Sequence, residues 1–270
     1  MFLHGVRKRV LSVGLAVLCL AGVASADLDI PKWLQQPDLT VTGMDVDATS
    51  TPVADDFLCY DDAPVTDVHI WGSWLDDLNL TDQTTFRLAF YDDVAAGVGG
   101  LDYSRPDYDN GPVKEYSFAP GEYAARLWHT HGADALEDWY SPESGQYVPD
   151  NHAEVWQYNF LFPDDPFFQA GSGTDPAVYW LQVQAVGPAG ANAAFGWKTS
   201  LMHWNDDAVY LDPADGPQEL LYPAGFSSQF PWLPQPGDSI DLAFAITPEP
   251  ATVLLLALGG LAAVLRRRRR

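Results

Sequence analysis

The sequence has 270 residues, a length that accommodates one large β-domain or two average domains. It contains 14 basic and 37 acidic residues and carries a formal net charge of −23. Phosphate backbones repel so acidic a chain, so the composition argues against nucleic-acid binding.

The N-terminal segment 1–26 has the features of a secretory signal peptide. Basic residues at positions 7–9 precede an apolar run over residues 10–24, and the small residues Ala24 and Ala26 frame a predicted cleavage site after Ala26. The apolar run of 15 residues is shorter than the roughly 20 that span a bilayer, which disfavours the alternative of an uncleaved anchor. The segment therefore predicts export through the secretion machinery.

Residues 27–246 have the pattern of an all-β domain. Short apolar runs alternate with polar residues, and turns rich in glycine and proline separate them, as at residues 110–112 and 187–188. Many short strands of this kind predict one β-sandwich or jelly roll. The apolar positions of the predicted strands are Val68 and Ile70; Phe86, Leu88 and Phe90; Val155, Tyr158 and Phe160; residues 178–186; and residues 240–246.

Cys59 is the cysteine that remains once the signal peptide, with Cys19, is removed. An intramolecular disulfide is therefore excluded in spite of export to an oxidising compartment. Its neighbours Phe57, Leu58 and Tyr60 predict that Cys59 is a small buried apolar side chain.

The aspartates form six adjacent pairs in the sequence. Loop carboxylates at the rim of a sandwich are suitable ligands for Ca²⁺, which takes six to eight oxygen atoms. The alternative is that the pairs are solvated acidic surface, so the sequence suggests Ca²⁺ as a cofactor without assigning a site. The pairs are 55/56, 61/62, 76/77, 92/93, 164/165 and 206/207.

Four tryptophans are candidates for ligand binding, because exposed indole rings stack on sugars. They are Trp71, Trp74, Trp197 and Trp204. Tryptophans in alternating strands are more often core residues. Aspartate pairs closely follow Trp74 and Trp204, so these two are predicted to lie at the rim of the fold. They define a first alternative function, a calcium-assisted carbohydrate-binding module.

Two histidines suggest a metal site. His129 and His131 are two positions apart and are predicted to lie on the same side of a strand. His152 and Glu154 have the same spacing and are further candidate ligands. The second alternative function is therefore a metal-dependent enzyme that uses His129 and His131. The competing interpretation is that these histidines form ordinary hydrogen bonds.

The known catalytic patterns fit poorly. In the cupin motif the glycine and the glutamate lie closer to the histidine pair, whereas seven residues separate Gly121 from His129 and five separate His131 from Glu137. Glycoside hydrolysis needs two carboxylates about 5–10 Å apart, one of them with a raised pKa. Glu122, Glu137 and Glu154 are the candidates, but so acidic a chain supplies pairs easily.

The C-terminal segment 247–270 has three parts. Pro248-Glu249-Pro250 precedes an apolar stretch over residues 251–265, and a cluster of arginines ends the chain. Arginines at this position stay cytoplasmic, so the apolar stretch is predicted to insert transiently in the inner membrane as a transmembrane helix. The arginines are Arg266, Arg267, Arg268, Arg269 and Arg270.

These three parts resemble the PEP-CTERM sorting signal of proteins processed by exosortase. The resemblance implies that exosortase is a partner, that it cleaves near Pro248 to Pro250, and that the domain 27–246 reaches the cell surface or the extracellular matrix. The domain itself resembles an uncharacterised family of secreted bacterial domains, which implies no activity. The segments that carry the second resemblance are 54–59, 69–74, 179–185, 195–200 and 203–208.

Cleavage at both ends makes the remaining domain more acidic. Three basic residues leave with the signal peptide and five with the C-terminal arginines, so 6 basic and 36 acidic residues remain, a net charge of about −30. We expect an exported, non-catalytic surface or matrix protein. Such a charge attracts divalent cations, and exopolysaccharide is a further candidate partner.

Overall fold

The computed structural model describes residues 31–40, 42–188, 193–227 and 231–248. This part of the chain is all-β, as the sequence predicts, with seventeen strands and three short 3-10 turns. Among the described residues, no helix has the length and apolar character needed to span a membrane. The signal peptide, with Ala24 and Ala26, and the C-terminal apolar stretch with its arginines lie outside these residues.

The strands have the following bounds in chain order: β1 (Trp33–Gln35), β2 (Met44–Asp47), β3 (Val53–Cys59), β4 (Val65–Trp74), β5 (Thr85–Val94), β6 (Arg105–Pro106), β7 (Lys114–Phe118), β8 (Ala124–Thr130), β9 (Glu137–Ser141), β10 (Gln146–His152), β11 (Glu154–Leu161), β12 (Ala177–Val186), β13 (Phe195–Ser200), β14 (Val209–Asp212), β15 (Gly216–Glu219), β16 (Asp241–Leu242) and β17 (Phe244–Pro248).

The strands form two sheets. The first has ten strands in the order β1-β17-β4-β13-β2-β9-β10, with β11 and then β8 added beside β4, and with β16 beside β13. The second has seven strands in the order β15-β14-β3-β12-β5-β6, with β7 beside β5. Neighbours are antiparallel except for β2 and β9, which run parallel and so bring two strands distant in sequence side by side.

Aromatic side chains from both sheets fill the space between them. Phe86 of the second sheet packs against Phe160 and Phe195 of the first, with ring centroids 5.4 and 4.9 Å apart. Val68 and Ile70 are fully buried in the same core, so the predicted strand is confirmed, although their polar neighbours in β4 are buried as well. Each large aromatic ring buries about 150–250 Å², so the core needs no disulfide.

Cys59 belongs to this core and is 2% exposed. Burial raises the pKa of its thiol to about 12, although the charge of Lys32 opposes the shift. The thiol therefore stays protonated at neutral pH, and the prediction of a small buried side chain is confirmed.

Candidate functional site

Four charged side chains meet inside the first sheet, and we call them the ion cluster. Lys198 of β13 lies opposite Asp45 of β2, and His152 of β10 lies opposite Glu137 of β9. Because β2 and β9 are parallel neighbours, the two cross-strand pairs adjoin. All four side chains have zero exposure.

The contacts in the ion cluster are those of mutual ion pairs. Lys198 Nζ lies 2.6 Å from Glu137 Oε2 and 3.3 Å from Asp45 Oδ2. His152 Nε2 lies 2.8 Å from Asp45 Oδ2 and 3.5 Å from Glu137 Oε2. Two carboxylates thus face one ammonium and one imidazole, and the cluster is neutral when His152 is protonated.

The electrostatics of the cluster favour that charged state. Burial lowers the pKa of His152, but the charge of Asp45 and hydrogen bonds to Asp45 and Glu137 outweigh it and raise the pKa to about 9. Burial raises the pKa of Glu137, but the charge of Lys198 and hydrogen bonds from the histidines hold it well below its usual range. Burial disfavours the charged form of Lys198 and so lowers its pKa, but the charges of Asp45 and Glu137 outweigh this effect and raise the pKa. These shifts keep Glu137, His152 and Lys198 ionised at neutral pH.

Gly43 leaves the space that this cluster needs. A Cβ atom at position 43 would lie 2.4 Å from Glu137 Oε1 and 2.6 Å from Lys198 Nζ. Such distances are well inside van der Waals contact, so a side chain here would displace the ion pair. The close approach of Glu137 and Lys198 to the backbone explains why position 43 is a glycine.

The structure places the candidate histidines in different surroundings. His131 follows β8, and its Nε2 lies 2.9 Å from Glu137 Oε1; the ring of His129 is 4.5 Å from that of His131 but is exposed. His131 and His152 therefore converge on one carboxylate, whereas His129 remains at the surface. Glu137 was considered for hydrolysis, but its neighbours make it a buried ion-pair partner.

The prediction that His152 and Glu154 share a strand face is wrong. β10 ends at His152 and β11 begins at Glu154, so the two residues lie on different strands. His152 points into the ion cluster, whereas Glu154 is half-buried and its Oε2 accepts a hydrogen bond of 3.1 Å from Trp156 Nε1. Spacing alone could not reveal that the chain turns at residue 153.

The geometry of the ion cluster also bears on metal binding. Ligand atoms of Asp45, Glu137 and His152 lie within 4.8 Å of one another, close enough to share one ion. The ammonium group of Lys198, however, contacts the same oxygens of Asp45 and Glu137. A divalent ion added to these charges would leave an uncompensated buried charge, which is costly. The arrangement therefore fits an internal ion pair better than a metal centre.

A second group of buried carboxylates lies where the two sheets meet, and we call it the acidic triad. Asp55 and Asp56 are consecutive residues of β3 in the second sheet, and Asp241 belongs to β16 in the first. Their exposures are 0%, 0% and 1%. The triad unites one of the aspartate pairs of the sequence with a third aspartate distant from it.

Neutral donors surround the triad. Asp55 Oδ2 accepts hydrogen bonds from Gln35 Nε2 at 3.2 Å and from the backbone N–H of Leu242 at 2.6 Å. Asp241 Oδ2 accepts one from the backbone N–H of Trp204 at 2.8 Å, and Asp56 Oδ2 accepts one from Asn205 Nδ2 at 2.5 Å. The loop that holds Trp204 and Asn205 therefore covers both Asp241 and Asp56.

The triad lacks the cations that balance the ion cluster. Within the described part of the chain, no lysine or arginine pairs with it, and its nearest cationic group is His203, whose Nδ1 lies 3.6 Å from Asp241 Oδ1. Burial and the charges of its neighbours raise the pKa of Asp55 well above its usual value. Burial also raises the pKa of Asp56 to about 8, against the hydrogen bond from Asn205.

The tryptophans lie differently from the prediction. Trp74 is 2% exposed and its Nε1 donates a hydrogen bond of 2.8 Å to Tyr158 Oη in the core, so its placement at the rim is wrong. Trp204 is half-buried and packs edge to face on Trp33, with ring centroids 5.0 Å apart. Trp232, which was not among the predicted ligand-binding tryptophans, is 76% exposed.

Trp232 lines a surface groove of about 510 Å³. Polar groups from His203, Asp238 and Ser239 share the groove with Leu201 and the indole ring. Volumes of about 300–1,000 Å³ are typical of small-molecule sites. The groove therefore combines the exposed side chain of Trp232 with several hydrogen-bonding groups.

Sequence reasoning missed Lys198 and Asp241. One signal for Lys198 was available, because it is one of only six basic residues in 27–246 and stands in the aromatic run of residues 195–200. No comparable signal in the sequence distinguishes Asp241, since it follows a polar turn like many other aspartates of the chain.

Comparisons with known proteins agree with this picture. The PEP-CTERM protein-sorting motif matches residues 247–270, which identifies an exported protein that is processed by exosortase on its passage through the membrane to the cell surface. A domain of unknown function, DUF7901, matches residues 31–247, and the chain belongs to this family. The resemblances to a sorting signal and to an uncharacterised domain family are thus confirmed. No curated protein and no solved structure matches the chain.

The boundary between the two matches falls at the end of the fold. β17 extends through Pro248, which pairs with Val65, two residues beyond the domain boundary predicted at residue 246. Glu249, Pro250 and the arginines lie outside the described residues. The sorting motif therefore begins directly at the last strand of the sandwich.

Proposed function

We propose that this protein is a non-catalytic component of the cell surface or extracellular matrix, anchored transiently in the inner membrane and then released by exosortase. The observation that carries the proposal is the state of two side chains that were candidates for catalysis or metal binding. Glu137 and His152 are fully buried and engaged by Lys198 and Asp45. Side chains so engaged are poorly placed to meet a substrate, whereas the sorting motif supports export.

The sorting step is tested by a double substitution, Pro248→Ala with Glu249→Ala, in the producing bacterium. We expect an unprocessed form to accumulate in the membrane fraction, while the wild-type protein reaches the surface and the surrounding polymer. Substitution of Asp62→Asn, on an exposed residue of the domain, is the matched control and is expected to leave processing intact. Release of the double variant at the wild-type rate would contradict the proposal.

Carbohydrate binding is a second candidate, and the groove at Trp232 favours it. An exposed indole ring stacks on the apolar face of a sugar, while groups such as those of His203 and Asp238 bond its hydroxyls. The proposal moves the site from Trp74 and Trp204 to Trp232. Exopolysaccharide of the producing cell is the ligand we propose to test first.

Binding of the purified full-length chain to that polymer, and to a panel of neutral and acidic polysaccharides, tests this candidate. Trp232→Ala is expected to weaken binding at least tenfold. Trp128→Ala is the control, because Trp128 is also exposed, at 41%, but packs on Trp71 outside the groove. Equal binding by wild type and Trp232→Ala would exclude the groove as the site.

A further inference from the structure

The acidic triad poses a problem that its hydrogen bonds do not solve. Asp56 Oδ1 is a buried oxygen that accepts no hydrogen bond from any described residue; Asp241 Oδ1 is buried and accepts none either, but it lies 3.6 Å from His203 Nδ1. An unpaired buried acceptor costs about 1–3 kcal/mol, and more if it is charged. Each of the two carboxylates therefore directs one unsatisfied oxygen into the interior.

The loop over the triad offers further oxygen ligands. Asn205 touches Asp56, and its Nδ2 also lies 3.4 Å from Ser104 Oγ. Rotation of the amide about its last bond would present its oxygen instead of its nitrogen. The carbonyl oxygen of Met202 lies 3.4 Å from Gln35 Nε2, beside Asp241. Carboxylate, amide, hydroxyl and backbone oxygens thus lie along the loop of residues 202–206 and its contacts.

More negative charge lies around the same loop. Asp206 Oδ2 accepts a hydrogen bond of 3.0 Å from the backbone N–H of Ser104. The charge of Asp206 acts on Asp93 and Asp207, both half-buried, and the pKa of each is raised, mainly by burial. Arg105 is the cation that faces Asp93, and its Nη1 donates a hydrogen bond to the carbonyl of Val98 instead of to a carboxylate. The region attracts a cation from solution.

We infer that Asp56, Asp241 and the loop of residues 202–206 bind one calcium ion. Asp56 and Asp241 each supply the oxygen that now accepts no hydrogen bond, Asn205 supplies its amide oxygen, and water or a backbone carbonyl completes the shell. Oxygen ligands of this kind favour Ca²⁺ over transition metals, which prefer nitrogen and sulfur. Asp55 does not coordinate; Gln35 and the backbone N–H of Leu242 already bond its Oδ2.

Calcium suits this region better than the ion cluster for a reason of charge. The ion cluster already contains two buried cations, whereas the cationic group beside the triad is the exposed side chain of His203, 3.6 Å from Asp241 Oδ1. Calcium also tolerates irregular shells of six to eight oxygens, so a loop that adjusts around two carboxylates is sufficient. The inference goes beyond the proposed matrix function, since a structural calcium ion is compatible with any ligand or with none.

Isothermal titration calorimetry with calcium chloride, on full-length protein treated with chelator and purified in detergent, tests the inference. We expect one saturable site in the wild type and at least a tenfold weaker affinity in Asp56→Asn and in Asp241→Asn. Asp62→Asn makes the same chemical change in an exposed aspartate pair and is expected to bind as the wild type does. Circular dichroism reports whether each variant is folded.

A gain-of-affinity variant covers the case in which a loss variant does not fold. Asn205 has a φ of 59°, a conformation that aspartate tolerates nearly as well as asparagine. Asn205→Asp adds a fourth carboxylate and is expected to bind calcium at least threefold more tightly. Absence of calcium uptake by the wild type at 1 mM would overturn the inference, as would unchanged affinity in all three variants; protonated carboxyl groups would then explain the triad. Normal sorting with no calcium binding would leave the proposed function standing.

Discussion

The ion cluster and the acidic triad are both fully buried groups of charged side chains, but they reach electrical balance in different ways. In the ion cluster, Lys198 and His152 neutralise Asp45 and Glu137 within the protein. In the triad, three carboxylates share neutral donors and the exposed His203. Burial of charge is costly in either case. One region is therefore balanced by cations of the protein itself, whereas the other is the region for which we infer an external cation.

Removal of Lys198 is expected to have the largest effect. Lys198→Met leaves Asp45 and Glu137 buried without their main cation, and breaking a buried pair costs about 3–5 kcal/mol. Lys114→Met is the control, because the pair of Lys114 with Asp165 lies at the surface and contributes about 0–1 kcal/mol. Urea unfolding at pH 7 measures both, and equal losses would contradict the assigned role of the cluster.

The next largest effect is expected in the pH dependence of stability, through His152 of the ion cluster. The folded-state pKa of His152, about 9, is above its ordinary value of 6.5, so its stabilising effect is complete below pH 6.5 and is lost as the pH rises through 9. The effect is on the order of 3 kcal/mol. The difference in unfolding free energy between wild type and His152→Gln should therefore shrink from pH 6.5 to pH 9. A difference independent of pH would show that His152 is neutral in the fold.

Gly43→Ala is expected to have a smaller effect on the same cluster. The new methyl group would lie 2.4 Å from Glu137 Oε1 and would push the carboxylate from Lys198. Overpacking of this kind costs about 1–3 kcal/mol. Gly173→Ala, where no atom lies within 4 Å of the new Cβ, should change the unfolding free energy by less than about 0.5 kcal/mol. Equal stability of the two variants would argue against a close approach at Gly43.

The smallest expected effect, and the most specific, is that of Asp56→Asn measured without calcium. Burial already raises the pKa of Asp56 to about 8, so much of the carboxyl group is neutral at pH 7, and its replacement by an amide should cost under about 1 kcal/mol. The variant should instead lose about half or more of the stabilisation by calcium. Urea unfolding in chelator and in calcium separates the two effects, and a variant that calcium stabilises as much as it does the wild type would contradict the site.

More of the fold than of the sites could be predicted from the sequence. Alternation of apolar and polar residues at Val68 and Ile70 identified a strand, because successive side chains of a strand point to opposite faces, although both faces of β4 are buried. The two histidines that meet at Glu137 were found by residue type, but their partner Lys198 was not, since pairing across β13 and β2 joins positions 153 residues apart. Exposure was the least predictable property: Trp74 and Trp232 are chemically alike, and only the packing of the sheets separates them.

Thermal unfolding of the wild-type full-length chain, in 1 mM calcium chloride and in chelator at pH 7, tests the contrast between the two clusters most directly. A ligand at 100 times its Kd stabilises the folded state by about 2.7 kcal/mol, which raises the Tm of a domain of this size by roughly 5–10 °C. We predict a shift of that order in the wild type and in Gly43→Ala, and at most about half of it in Asp56→Asn, because a tenfold weaker affinity leaves about 1.4 kcal/mol. The same Tm for the wild type in calcium and in chelator would contradict the account.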